Sequence, residues 1–419
     1  MNTAHFMLAF LAAAANTIPH SSMSKVEASA EDYCLAGQGK IWIWISKGQI
    51  KNIAMTGAEW DARPTQNRGV YYYAQQSTAN PMIANNDDNT DVYALAKALV
   101  WLRMKQIDNP TPQQITEMEG YRAAVQTACL AARETENGGT TLELGRNLFG
   151  YVAAANIIDW DNSVPGQRQS DFRTWVDAVR TEVFQDGPTL FRTLIQAHET
   201  RPNNWGLMCG TSRLAASIYL CDIGDENACW DVFSRWLGDP TSTFNFQIGD
   251  WGGGAGDLSW QQSASNPVGI NPLGSGKLDC QNVFRSLDGV MPDDMRRAGS
   301  FDSTAPCVSG WSWPPYTTNP DRDYNWEAMQ AVLAQAVMHK RRGRDPASVS
   351  NDAVKRAFQW LYTELQFPVT HIDAGDDGFW MPYIANRLYP TLGIVEPVGT
   401  KPGKQTGYAD WTTLNPNWP

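Results

Sequence analysis

Two neighbouring side-chain amides, Asn203 and Asn204, stand in the segment RPNNWG at 201–206. Pro202 disfavours helical backbone angles at Arg201, so we expect a helix to begin directly after it. One amide could cap that helix by accepting a backbone hydrogen bond, but a cap needs only one of the two. A side-chain amide beside the free N–H groups and the positive dipole end of a helix also suits an anion such as a carboxylate.

A second set of polar residues lies in LDGVMPDDMRRAGSF at 287–301. The Asp-Gly pair marks a turn, and Pro292 predicts the start of a short helix. That helix would carry Arg296 and Arg297, whose positive charges could neutralise an anionic ligand.

Tyr324 stands at the start of a third segment, RDYNWEAMQAVLAQA, which has the spacing of an amphipathic helix. On a helical wheel the apolar face centres near Val332, Leu333 and Ala336, and Tyr324 lies roughly 150° from that face. We therefore expect Tyr324 outside the core, either exposed to solvent or in a cleft.

Three histidines lie beyond residue 30, at His198, His339 and His371. His198 lies six residues before Asn204, near the end of a predicted helix, which makes it the candidate general base. His339 opens the basic run HKRRGR, where cations suit a helix C-terminus, and we expect a solvated surface position. His371 lies on a predicted loop and is a candidate for substrate binding.

Aromatic side chains are abundant, with 18 Trp, 14 Tyr and 14 Phe. Trp and Tyr rings line grooves that bind sugars, as well as filling cores. Two candidate sugar platforms, Trp311 and Trp313, belong to the loop segment WSWPPY, where a core role is less evident. For every candidate alone, core packing is the alternative; the other candidates are Trp205, Trp251 and Tyr71 to Tyr73.

Hydrophobic periodicity predicts an all-α protein. Apolar residues recur at intervals of three and four along about nine or ten segments, which is the pattern of amphipathic helices. Most of these segments come in pairs with short links, which favours an α/α toroid (an incomplete α/α barrel) or a helical solenoid. The predicted helices lie at 91–106, 113–133, 141–158, 170–184, 187–198, 205–221, 227–237, 327–339 and 353–365.

A long irregular region, from about 238 to 323, interrupts the helices and is rich in Gly, Pro, Ser, Asn and Asp. Irregular stretches of this length inside a compact protein usually form functional loops or a lid. The Pro- and Gly-rich segment at 394–419 is expected to wrap over the surface. We divide the chain into a leader at 1–30, a toroidal catalytic domain at 31–393 and this tail.

The N-terminal apolar run suits a signal peptide and is too short to span a bilayer. ASAED at 28–32 offers a cleavage site after Ala30, which predicts a secreted protein. The seven cysteines lack the spacing of a zinc site, and neither a metal nor another cofactor is expected. In a secreted protein disulfides would form, and a bond between Cys280 and Cys307 would close a loop within the irregular region.

The formal net charge is -11, so the chain lacks the excess of Lys and Arg that is typical of a nucleic-acid-binding protein. An anionic ligand can still bind where Arg and Lys are gathered locally. No later run of apolar residues is long enough for a transmembrane helix. We expect a monomer with no nucleic-acid or membrane partner.

The order of the three motifs resembles that of the alginate lyase superfamily, helical-toroid polysaccharide lyases that act on uronic-acid polymers. The resemblance covers 198–390. It consists of Asn-Asn at a helix start, the pattern D-G-x-x-P-x-[DE]-x-x-R at 288–297, a Tyr in the next helix and the closing segment GDDGFWMPYIANRLYP at 375–390.

The resemblance implies β-elimination on a β-1,4-linked polyuronate such as poly-mannuronate or glucuronan. Asn204 would hold the substrate carboxylate, Arg297 would be the active-site Arg, and Tyr324 would be the catalytic Tyr. The family places His directly after this Asn, whereas this chain has Trp205, so His198 becomes the candidate to share the proton transfer. The residues expected to bind substrate are Asn203, Trp205, Arg296, Trp311, Trp313 and His371.

Two other functions remain open at this point. A glycoside hydrolase on a similar toroid needs two carboxylates across the scissile bond, and six candidates are available. A non-catalytic carbohydrate-binding protein is the other alternative, because the Asn-His pair of the lyases is absent. The candidate hydrolase carboxylates are Asp250, Asp293, Asp294, Asp373, Asp376 and Asp377.

Overall fold

The computed structural model describes residues 40–61, 69–251, 258–296, 301, 307, 313, 324–363, 380–396 and 403–419. Within these residues the chain is mostly helical, as the periodicity predicted, and its named strands form two short antiparallel hairpins. The helices are α1 (Lys47–Ile50), α2 (Val70–Ala74), α3 (Thr90–Met104), α4 (Pro112–Ala132), α5 (Thr141–Ile157), α6 (Gln169–Val179), α7 (Leu194–Thr200), α8 (Asn204–Leu220), α9 (Ile223–Trp236), α10 (Pro292–Met295), α11 (Tyr324–Arg341), α12 (Ala353–Thr363), α13 (Met381–Leu388) and α14 (Ala409–Thr412). The strands are β1 (Phe184–Gln185), β2 (Phe191–Arg192), β3 (Gly276–Leu278) and β4 (Phe284–Ser286).

Local sequence explains where the main helices begin. α4, α5 and α7 each start with a capping box, in which a Thr and a Gln or Glu three residues later bond each other's backbone N–H groups. The helix predicted at 187–198 is wrong over its first half. Gly187 has a positive φ of 132° and Pro188 follows it, so the chain turns there and β1 pairs with β2 before α7 begins.

Four long helices form a row in which each packs against the next: α3 on α5, α5 on α8, and α8 on α11. The helices between them in sequence, and α12 after them, pack against members of this row. α4 contacts α3 and α5, α6, α7 and α9 contact α8, and α12 contacts α11. The row therefore forms an inner layer of the described helices.

Neighbouring helices of the row run in the same direction. Asn204 contacts Glu327 near the start of α8 and α11, and Thr211 donates to the carbonyl of Ala331 further along both. The N-termini of these two helices consequently lie side by side.

The same holds for α5 and α8. The Cys209 thiol contacts the carbonyl of Thr141, and further along both helices the backbone N–H of Phe149 donates to Ser212. The first turns of α5, α8 and α11 therefore lie at one end of the inner layer, where their positive dipole ends add to one another.

Much of the C-terminal segment lies in the core. The prediction that this segment wraps over the surface is therefore wrong for residues 403–413. Residues 403–413 are buried, and the segment touches the inner helices. Lys404 forms an ion pair with Asp91 of α3 at 2.5 Å, and the hydroxyl of Tyr408 donates to the carbonyl of Val92. The Pro- and Gly-rich composition predicted a surface position incorrectly. A segment without a regular hydrophobic period can still bury its aromatic side chains and bond to helix carbonyls.

The region from 238 to 323 is irregular where the structure describes it, apart from a short 3₁₀ turn at Ile248–Asp250, the β3–β4 hairpin and α10. The expected disulfide between Cys280 and Cys307 is present. It joins the turn between β3 and β4, where Cys280 lies, to Cys307 further along the irregular region. None of the described helices has both the length and the apolar character needed to cross a bilayer.

Candidate active site

The two asparagines meet both downstream motifs at the start of α8. The Asn203 amide donates to the Asp293 carboxylate at 2.9 Å, and the backbone N–H of Asn204 donates to Asp294 at 3.3 Å. The Asn204 amide donates to the Glu327 carboxylate at 2.6 Å. α10 and the first turn of α11 are thus brought to the N-terminus of α8.

Arg146 of α5 completes this group, and sequence reasoning missed it. Its guanidinium forms an ion pair with Glu327 at 2.8 Å, and the residue is 9% exposed. Nothing in the local sequence distinguishes Arg146 from a solvated helix residue, since its partner lies far along the chain. We call the whole group the amide–carboxylate cluster; it consists of Arg146, Asn203, Asn204, Asp293, Asp294, Arg296 and Glu327.

The adjacent amides have different roles. Asn203 is the N-cap of α8, because its Oδ1 accepts the backbone N–H of Trp205 at 3.1 Å. Its amide nitrogen is used by Asp293 as well, so both ends of the side chain have structural partners. Asn204 is fully buried, and its Oδ1 accepts no hydrogen bond from any described residue. Capping therefore explains Asn203 and leaves Asn204 to a different explanation.

The reachable edge of the cluster consists of Glu327 and Arg296. The Glu327 side chain is 34% exposed, although it bonds to both Arg146 and Asn204. Arg296 is 23% exposed and forms an ion pair with Asp293 at 3.1 Å. A ligand approaching the cluster would meet these two charges before it met the buried amide.

Tyr324 is half-buried at the first position of α11, which agrees with its predicted place outside the core. Residues three apart on a helix lie on the same side. Tyr324 therefore lies one turn above Glu327 at the same end of the inner layer. Arg297, Trp311 and His371 lie outside the described residues.

His198 is not placed as a general base for this cluster, and that expectation is corrected. It is 2% exposed, and it packs against Gly210, which is six residues after Asn204 and so about 9 Å further along α8. Burial and the nearby Arg213 guanidinium hold the pKa of the His198 imidazole well below its usual range. The ring is neutral but cut off from solvent and from any substrate at the start of α8.

His339 is also buried, so the predicted surface position is wrong. Its ring packs against Trp230 and Phe233, at centroid distances of 5.0 and 5.1 Å, and lies 3.0 Å from the Arg344 guanidinium. Burial and Arg344 lower the pKa of the imidazole. The basic run ends the helix as expected, but Glu226 pairs with Arg342 and Arg344 instead of leaving them solvated.

Trp205 is the predicted sugar platform that lies beside the cluster. It is partly exposed, and the Arg201 guanidinium lies 4.4 Å from its ring centroid. Arg201 is itself fixed by an ion pair with the fully buried Asp186 at 2.7 Å. One face of the indole is therefore held by a cation that is anchored in the core.

Trp313 and Trp251 have packing roles. Trp313 contacts Trp260 and Phe301, with the Arg285 guanidinium 5.6 Å from its ring centroid. Trp251 is 2% exposed. The alternative of core packing, kept open for both from the sequence, accounts for these contacts.

The candidate hydrolase carboxylates are unevenly placed. Asp293 and Asp294 are 4% and 1% exposed, and both bond to the start of α8. Asp250 lies at the end of the 3₁₀ turn, where burial raises the pKa of its carboxyl. The other three, Asp373, Asp376 and Asp377, lie outside the described residues.

Among the residues that the structure describes, no group of three His, Cys, Asp or Glu side chains could hold a metal ion. No protein-family model, curated protein or solved structure matches the chain. What the protein does must therefore be argued from the cluster itself.

Proposed function

We propose that the protein is a polysaccharide lyase that cleaves a β-1,4-linked polyuronate by β-elimination at the amide–carboxylate cluster. The observation that carries this proposal is the contact between Asn204 and Glu327 at 2.6 Å. It brings the motif that begins α8 to the first turn of α11, where Tyr324 lies. The resemblance of the three motifs to those of alginate lyases assigns the same residues to one site.

The reaction removes the proton on C5 of a uronic acid, forms a C4–C5 double bond and breaks the bond from C4 to the leaving oxygen. The C5 proton is weakly acidic while the neighbouring carboxylate carries its full charge. Hydrogen-bond donors and cations that stabilise the developing enolate-like charge accelerate such a step. The Asn204 amide, Arg296 and the aligned N-termini of α5, α8 and α11 supply these donors and positive charge.

Binding requires an exchange at Asn204, because its amide nitrogen is engaged by Glu327. In the proposal the uronate carboxylate replaces the Glu327 carboxylate on this amide, and Glu327 stays paired with Arg146. The exposed edge formed by Glu327 and Arg296 is where the exchange begins.

Tyr324 is the proposed proton carrier, because His198 is enclosed in the core. Its phenolate takes the C5 proton, and the resulting phenol returns a proton to the leaving oxygen. One residue can do both when the proton and the leaving group are on the same side of the sugar ring. Trp205 beside Asn204 would support the sugar at the neighbouring position.

The arrangement of helices supports an α/α toroid as the scaffold. The inner helices whose directions can be compared run parallel, and the helices between them in sequence pack against this row. A toroid places loops and helix N-termini around a cleft at one end, which fits the position of the cluster. The Cys280–Cys307 disulfide supports the proposed secretion.

A polymer-degradation assay tests the proposal. Purified protein is incubated with poly-mannuronate, poly-guluronate, glucuronan and a pectic acid, while ultraviolet absorbance from the new double bond and reducing ends are both followed. A lyase raises both signals on at least one polymer. New reducing ends without absorbance would establish a hydrolase instead, and intact polymers would favour the carbohydrate-binding alternative.

A further inference from the structure

We infer that Gln405, in the buried C-terminal segment, positions the helices that carry the amide–carboxylate cluster. The inference rests on the proposed function only for its effect on turnover. Its structural content, that one amide holds α5 and α8 in register beneath the cluster, can be tested without any substrate.

Gln405 connects α5 and α8, two of the three long helices that carry residues of the cluster; the third is α11. Its amide nitrogen donates to the carbonyl of Gly145 at 2.6 Å and to that of Met208 at 3.0 Å. Gly145 immediately precedes Arg146 on α5, and Met208 lies one turn after Asn204 on α8. A single buried side chain thus fixes the distance between the helices that hold the two partners of Glu327.

Lys404, the residue before Gln405, connects the remaining two inner helices, α3 and α11. Gln330, three residues after Glu327 on α11, donates to the backbone carbonyl of Lys404. The Lys404 ammonium pairs with Asp91 near the start of α3, and both side chains are almost fully buried. Residues 404–405 therefore contact α3, α5, α8 and α11, and the contacts on α8 and α11 lie about one turn after Asn204 and Glu327.

Stability alone does not account for glutamine at this place. The carbonyl oxygens of Gln405 and Gln330 are buried and accept no hydrogen bond within the described part of the chain. Burying an unsatisfied acceptor costs stability, and an apolar side chain of equal length would avoid that cost. The amide groups are needed for the bonds they donate, and those bonds set helix positions under the cluster.

The test compares Gln405→Met with a matched control, Gln126→Met. Gln126 is also buried, and its amide nitrogen also donates to two backbone carbonyls, those of Asp161 at 2.8 Å and Gln167 at 2.7 Å. It lies on α4, outside the cluster. Each substitution keeps the side-chain length and removes two donated bonds, and thermal unfolding of both variants records any loss of stability.

Hydrogen exchange measured by mass spectrometry gives the activity-independent result. Gln405→Met should accelerate amide exchange in peptides covering 141–149 and 204–212, whereas Gln126→Met should leave these peptides unchanged and affect 113–132 and 161–167. Unchanged exchange at 141–149 and 204–212 in Gln405→Met would overturn the inference. If that variant does not fold, Gln330→Met, which removes only the bond to Lys404, is measured in its place.

Turnover gives the second result. Misplacing reacting groups slows the chemical step, so Gln405→Met should lower kcat on the order of tenfold while KM changes little. Gln126→Met should keep the wild-type kcat. An equal fall in kcat for both variants would overturn the inference, because general destabilisation would then explain it. If the wild-type protein cleaves no polyuronate, the proposed function fails, and the exchange result still decides whether Gln405 positions the helices.

Discussion

At the scale of single residues, Asn203 and Asn204 show how neighbouring identical side chains acquire different roles. The sequence identified the pair and predicted that capping could use only one amide. It could not say which, because the difference depends on Asp293 and on Glu327, which is 123 residues from Asn204. Arg146 was missed for the same reason, since its partner is on a distant helix.

Substituting each asparagine separately should separate fold from function. Asn203→Ala removes the cap of α8 and should lower the free energy of unfolding by about 1 kcal/mol, with a smaller effect on turnover. Asn204→Ala removes the proposed donor to the substrate carboxylate and should lower kcat by about 10²–10³. Urea unfolding and the rate of double-bond formation measure the two effects, and a reversed pattern would assign the catalytic role to Asn203.

Tyr324→Phe tests the proposed proton carrier. The substitution removes one hydroxyl from a half-buried residue, so the fold and its thermal stability should be retained. Turnover should fall by at least about 10²–10⁴, the usual contribution of a positioned acid or base. Circular dichroism and the absorbance assay measure these quantities, and wild-type turnover in the variant would remove Tyr324 from the mechanism.

At the scale of elements, helices with a clear apolar period were predicted well, and segments without a period were not. α3, α4, α8 and α12 lie close to their predicted ranges. The burial of α4 and α12 follows the 3.6-residue repeat, whereas α3 and α8 are buried on nearly every side. The β1–β2 hairpin and the buried segment 403–413 were missed. Their positions depend on long-range bonds, such as those of Lys404 and Gln405, which leave no local pattern in the sequence.

A glycine pair tests how closely the inner helices pack. A Cβ added at Gly210 of α8 would lie 2.5 Å from the His198 imidazole and 2.9 Å from the Gln335 amide, whereas one added at Gly120 of α4 would meet nothing within 4 Å. Gly210→Ala should therefore destabilise the protein by about 1–3 kcal/mol through overpacking. Gly120→Ala should stabilise it by up to about 1 kcal/mol, because Ala favours helix. Urea unfolding of both variants checks these opposite signs, and stabilisation by Gly210→Ala would contradict the close packing.

At the scale of the whole molecule, the packed helices enclose two histidines that were not expected in the core, since His339 was predicted at the surface and His198 as a general base. Arg213 adds positive charge beside His198, and Arg344 and His198 add positive charge beside His339. Periodicity detects only apolar residues, so a histidine inside the core and one on the surface have the same sequence signature. Their burial nevertheless has a consequence for the whole fold, since a neutral buried imidazole links stability to pH.

The expected pH dependence follows from the lowered pKa of His198. In the unfolded chain this imidazole binds a proton below about pH 6.5, whereas in the folded protein burial and Arg213 keep it neutral to a much lower pH. Acidification therefore favours the unfolded chain, and His198 alone should remove about 2 kcal/mol of stability between pH 7.5 and 5. Burial raises the pKa of Asp91 to about 6, and this carboxyl acts in the opposite direction, so total stability cannot isolate the histidine.

The comparison that isolates it is His198→Asn against the wild type, each unfolded in urea at pH 7.5 and pH 5. Asparagine can still accept the contact from Arg213 but cannot titrate. The variant should be less stable at pH 7.5, because it fills less of the core, yet it should lose about 2 kcal/mol less than the wild type on acidification. His339→Asn should reduce the acid sensitivity in the same direction, since Arg344 and burial keep that ring neutral as well. Equal losses in the wild type and both variants would mean that the two imidazoles take up protons in the folded protein as readily as in the unfolded chain.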